Sequence, residues 1–140
     1  MEYRRYDTGL VLRLDPGDNV EDALVRLAEM ENLSLAGFTG IGATNEFTIG
    51  VFDLETKEYA AHSFEGSYEI TNLTGNLTRK DGKPYAHIHL NCAGADGKVV
   101  GGHLLHCRIS LTAEIFLQIL PGEAQRQMDP AISINRIYFC

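Results

Sequence analysis

Apolar and polar positions alternate along most of this chain. Leu10, Leu12 and Leu14 stand against Val11 and Arg13, a period of two that predicts a strand over residues 3–14. Asp15-Pro16-Gly17-Asp18-Asn19 then breaks the pattern as a turn cluster. The period changes after it. Val20, Ala23, Leu24, Leu27 and Met30 form an apolar stripe at helical spacing, which predicts a helix over residues 20–31. Asp18 and Glu21 have the spacing of a capping box at its start, and Asn32 is placed to end it. Beyond the helix the pattern is β-rich. Strands are expected over residues 35–39, 47–53, 58–64, 68–77, 85–93 and 99–109. Their separators are Gly40-Ile41-Gly42-Ala43, Glu65-Gly66-Ser67, Lys80-Asp81-Gly82-Lys83 and Ala95-Asp96-Gly97. Residues 112–120 fit a strand or a short helix equally well. Residues 121–130 read as a polar loop and residues 132–139 as a last strand.

Four of the five histidines lie between His87 and His106. His87 and His89 form an H-x-H pair on an expected strand, where positions i and i+2 share a face. Two imidazoles so placed converge on one ion if an adjacent strand adds a third. The turn between the strands decides which histidine that is. A two-residue Asp96-Gly97 turn would set His87 opposite His106. A three-residue Ala95-Asp96-Gly97 loop would set His89 opposite His103, with His87 on the diagonal and His106 on the other face. The longer loop needs a left-handed third residue, which Gly97 supplies, and it is the preferred register. A bulge at Gly101-Gly102 would undo it. Without a metal, the same pair is simply the polar face of a sheet. Cys92 has the wrong parity to join, and Cys107 shares the face of His103 but lies about 13 Å along the strand. Three protein ligands are the composition of an open zinc site, whose fourth position takes water or substrate.

Composition narrows the function classes. The chain has 140 residues, 44% hydrophobic and 22% charged, which suits one globular domain over residues 1–140. Twelve Lys and Arg against nineteen Asp and Glu leave a formal charge of −7, which opposes binding to a phosphate backbone. No apolar run is long enough to span a membrane and no signal-peptide core is present, so a cytoplasmic setting is expected. Cys92, Cys107 and Cys140 then read as reduced thiols. The glycines of residues 37–43 do not match a phosphate loop, and close backbone packing explains them better. No G-x-S-x-G nucleophile motif occurs.

Gly40-Ile41-Gly42-Ala43, Gly66-Ser67-Tyr68-Glu69-Ile70, Leu73-Thr74-Gly75-Asn76-Leu77, Ala86-His87-Ile88-His89-Leu90 and Val100-Gly101-Gly102-His103-Leu104 together resemble the plants-and-prokaryotes conserved (PPC) domain. The resemblance runs from about Tyr3 to Leu120, and H-x-H followed by G-G-H is its most specific part. It implies an α+β fold, a mixed and strongly curved β-sheet with flanking helices, assembled as a homotrimer. It also implies zinc at His87, His89 and His103, and kinship of fold with α-acetolactate decarboxylase. Prokaryotic members often carry a DNA-binding name. In the plant proteins DNA is held by a separate Arg-Gly-Arg-Pro hook, which this sequence lacks.

Two classes of function follow. One is zinc-dependent chemistry on a small carbonyl or carboxylate compound, with zinc polarising an oxygen or acidifying a water, and Glu46 the candidate general acid or base. The other is a non-enzymatic module that binds DNA or protein partners. The acidic charge counts against DNA for this chain alone.

Overall fold

A computed structural model describes residues 1–139 as eight strands and one helix, and Cys140 lies outside the described residues. The strands are β1 (Glu2–Tyr6), β2 (Gly9–Leu14), β3 (Ala36–Phe52), β4 (Tyr59–Lys80), β5 (Lys83–Ala93), β6 (Val99–Ile119), β7 (Gln125–Asp129) and β8 (Ile134–Tyr138). The helix, α1 (Val20–Met30), follows β2. They form one curved sheet in the order β1-β2-β6-β3-β4-β7-β8, with β5 joined to both β4 and β6. Strands β3, β4, β5 and β6 therefore each pair with two others of the four, and the sheet closes into a ring. All pairings are antiparallel except one parallel contact, Arg79 to Gln125 between β4 and β7. Flanking helices were expected; among the described residues there is one, and it packs against β5 and β6.

Burial follows the alternation. Leu10, Leu12 and Leu14 of β2, Leu73 and Leu77 of β4, Leu90 of β5 and Ile115 of β6 are buried in one core. Val20, Ala23, Leu24, Leu27 and Ala28 bury the apolar stripe of α1 in the same core. Each fully buried Leu or Val side chain contributes about 1.5–3 kcal/mol of transfer free energy. The helix starts on Asn19, not Asp18. The Asn19 side chain accepts from the Asp22 amide at 3.1 Å, while Asp18 is engaged by the Asp15 amide and the Met1 amine. The expected Asp18–Glu21 box is thus not made. Asn32 does end the helix, at φ 48°. Its N–H donates to Glu29 O, and that of Leu33 donates to Ala28 O, the paired bonds of a left-handed C-terminal cap.

Three expectations change, and one left open is decided. The strand of residues 3–14 is a hairpin, because Tyr6 pairs with Gly9 around a turn of Asp7 and Thr8. Gly40-Ile41-Gly42-Ala43 and Glu65-Gly66-Ser67 are not loops. They are register shifts inside β3 and β4, so four expected strands are two long ones. Residues 112–120 continue β6 as strand. The polar loop of residues 121–130 contains β7, whose Arg126 is buried.

Candidate metal centre

The link between β5 and β6 sets the site. Gly97 has φ 75°, the left-handed value, and Gly94 N donates to Lys98 O at 3.0 Å, closing a three-residue loop of Ala95, Asp96 and Gly97. His89 then pairs directly with His103, and the register runs unbroken through Gly101 and Gly102. Gly75 of β4 lies beneath: a Cβ there would stand 2.1 Å from His87 O and 2.6 Å from the Phe38 ring, so only glycine lets β5 sit this close.

The three imidazoles meet on the face away from the core. One ligand nitrogen from each of His87, His89 and His103 lies within 4.8 Å of the other two. Ring centroids are 5.3 Å apart for His87–His89, 5.1 Å for His87–His103 and 5.6 Å for His89–His103. Three ligands at tetrahedral zinc stand about 3.3 Å apart, so small ring rotations suffice to close on an ion. Burial, helped by His87 and His89, pushes the His103 pKa down to about 4. Burial, then the charge of Arg126 and the neighbouring His89, lowers His87 as well. Both rings are therefore held neutral, the form that binds metal. The His103 Nδ1 atom is buried and has no hydrogen-bond partner among the described residues. A buried polar atom left so costs about 1–3 kcal/mol, a cost that a bound ion and its coordinated ligands can relieve. The residues present fit a metal.

Three further side chains build the surroundings. Tyr59 of β4 stacks on His103. Tyr85 of β5 shares the parity of His87 and His89 and extends that face by one position. Arg126 of β7 places its Cζ 4.9 Å from the Tyr85 ring centroid. Tyr85 was readable from the i, i+2, i+4 pattern. Tyr59 and Arg126 had no such signal, one lying on a distant stretch of chain and the other in an expected loop.

Glu46 is brought to a different group. Its Oε1 lies 3.7 Å from His106 Nε2, and Asn19 Nδ2 lies 3.1 Å from His106 Nδ1. Gly50, four residues from Glu46, is the partner of His103, which sets Glu46 about 13 Å along β3 from the cluster. An extra residue in β6, between the pairs Thr48–His106 and Ile49–Leu104, alters the expected faces. It turns Cys107 into the core with Leu104 and leaves His106 on the side of His103. Burial pushes the Cys92 thiol up to about 12 and the Cys107 thiol up to about 11, so neither offers a thiolate.

The sequence model of the Plants and Prokaryotes Conserved (PCC) domain matches residues 1–121. The chain belongs to that family. Solved structures agree with a PCC fold along the whole chain. A metal-containing protein of Archaeoglobus fulgidus is 32% identical, with a TM-score of 0.87 over 99% of this chain and 100% of that one. A Ralstonia eutropha JMP134 protein with a provisional DNA-binding name is 32% identical, with a TM-score of 0.92 over 99% and 96%. The bifunctional protein GlmU of a Synechococcus strain is 38% identical over 124 residues. That match takes in 86% of this PCC chain but only 18% of the length of the curated relative. The α-acetolactate decarboxylase of Bacillus subtilis, 10% identical, superposes with a TM-score of 0.56 over 90% of this chain and 58% of its own, a likeness of fold alone.

Proposed function

We propose that this PCC domain is a zinc protein whose three-histidine centre acts on a small carbonyl or carboxylate compound. The observation that carries the reading is the convergence of three imidazoles, two of them held neutral by burial, around a buried nitrogen without a partner. Zinc so held supplies a Lewis acid with a coordination position left for an exogenous oxygen ligand. The chain contributes the rest. His89 stays exposed and leaves the centre open to solvent on one side, while Tyr59 walls off His103 on another. The metal-containing relative in Archaeoglobus fulgidus supports the reading. Elemental analysis tests it: purified protein should carry about one zinc per chain, and His89→Ala should lose most of it. Unchanged zinc content in that variant would refute the site.

We further propose that the chain works as a homotrimer. The number three comes from the family resemblance, and exposed apolar side chains supply a surface to cover. Ile41, Leu111 and Phe116 are 58%, 69% and 57% exposed on neighbouring strands β3 and β6.

The provisional DNA-binding name of the Ralstonia relative favours a second reading, a DNA-binding module. The charge of −7 weighs against it. Binding to random duplex should be weak at about 50 mM salt; submicromolar affinity that collapses by about 200 mM would restore the second reading.

A further inference from the structure

Arg126 is only 6% exposed, yet it forms no ion pair among the described residues. Its contacts are all neutral. Nε donates to Thr78 Oγ1 at 2.9 Å, Nη1 to Asn135 O at 2.8 Å and Nη2 to Asn76 Oδ1 at 2.7 Å, and the guanidinium lies over the Tyr85 ring. A buried guanidinium without a counter-charge is costly, by several kcal/mol per ion. Its position shows what is missing. Asn76 is the cross-strand partner of His87, and Tyr85 is two residues from His87 on the same face. The unpaired cation therefore stands on the His87 side of the three-histidine cluster. A divalent ion there would add charge of the same sign, and the two would repel unless an anion lay between them.

We propose that Arg126 anchors an anionic ligand of the three-histidine centre, a small carboxylate held by the guanidinium while an oxygen of the same molecule reaches the metal. The inference rests on the metal reading above and names the ligand class for it. Three of the five N–H groups of Arg126 are already engaged. One remains on each of Nη1 and Nη2, two donors for the two oxygens of a carboxylate. Thr78, Asn76 and the Asn135 carbonyl fix the planar group, so it is ordered before the ligand arrives. Among the described residues no acid fills this role: none of the ion pairs involves Arg126, and Glu46 lies near His106 instead.

Cobalt(II) in place of zinc gives a visible ligand-field spectrum that reports an entering ligand without any need for turnover. Acetate should shift the spectrum of the cobalt-loaded wild type. Arg126→Met should bind cobalt at least as tightly as the wild type, since a like charge is removed, but need at least about ten times more acetate, a loss of about 1.4 kcal/mol. Imidazole, a neutral ligand, should bind both proteins alike. If Arg126→Met does not fold, Arg126→Lys carries the test: it keeps the charge, loses the fork, and should weaken acetate at least about threefold. Equal acetate affinity in wild type and the folded variant overturns the anchor. Inorganic phosphate binding more tightly than acetate overturns the carboxylate assignment. A wild type that takes up no cobalt overturns the metal reading, and the anchor with it, and is told apart because no cobalt spectrum forms at all.

Discussion

Tyr59 lies flat on His103, with ring centroids 4.7 Å apart and planes 19° from parallel. The two residues come from strands that are not hydrogen-bonded neighbours: Tyr59 pairs with Phe52 at the end of β3, and His103 pairs with Gly50 and His89. The stack holds the imidazole plane at an angle that its own strand does not dictate. Groups that orient a metal-binding histidine typically change metal affinity by 10–100-fold when removed. Tyr59→Ala should therefore weaken zinc binding about tenfold, while Tyr59→Phe, which keeps the ring, should stay near wild type. Competition with a chromophoric chelator measures both.

Gly75→Ala should damage the same site from below. The new methyl would meet His87 O and the Phe38 ring, and β5 must move to admit it. The expected cost is about 2–3 kcal/mol of stability, read by urea denaturation, with weaker zinc binding in the fraction that folds.

Metal-free protein should lose stability as acid is added, and the sign follows from His103. Its pKa falls from the ordinary 6.5 to about 4 on folding. Between those values the unfolded chain binds a proton that the folded chain refuses, so stability rises with pH. The contribution is fully present above pH 6.5 and is lost as pH falls toward 4. His87, also lowered, acts in the same direction. Thermal melts in chelator from pH 8 down should stay flat to about 6.5 and then decline. His103→Ala should flatten much of that decline. A decline that is just as steep in the variant would assign it to other groups.

Leu111→Asp and Phe116→Asp should each yield a monomer in light scattering. Both side chains project from β6 into solvent in the isolated chain, and a charge at either would oppose burial against a second copy. A trimer that survives both substitutions would move the interface elsewhere.

The cluster of histidines was legible because it depends on local rules. A two-residue strand period and a left-handed Gly97 are enough to place His89 against His103, and no long-range information is needed. The boundaries of the long strands were not legible. Gly40 to Ala43 and Glu65 to Ser67 have turn composition, yet the chain continues through them as bulged strand, the first held between β4 and β6 and the second along β3. The face of Cys107 was misread for the same reason, since one extra residue near Leu105 reverses the parity downstream. Arg126 was invisible because its meaning is entirely tertiary. A lone basic residue in a polar segment carries no signal until Tyr85, Asn76 and Thr78 are seen around it.

The ring of β3, β4, β5 and β6 is fastened unevenly. Most of its joints run for ten or more paired residues, but β5 meets β6 over five, from His89–His103 to Ala93–Val99. His87 and His89 stand on one side of that short seam and His103 on the other. An ion bound by all three is a rivet through the weakest joint of the barrel. Loading the site would then slow hydrogen exchange along residues 89–103 while the rest of the sheet breathes as before. Metal would govern how long the barrel stays shut as well as what it binds.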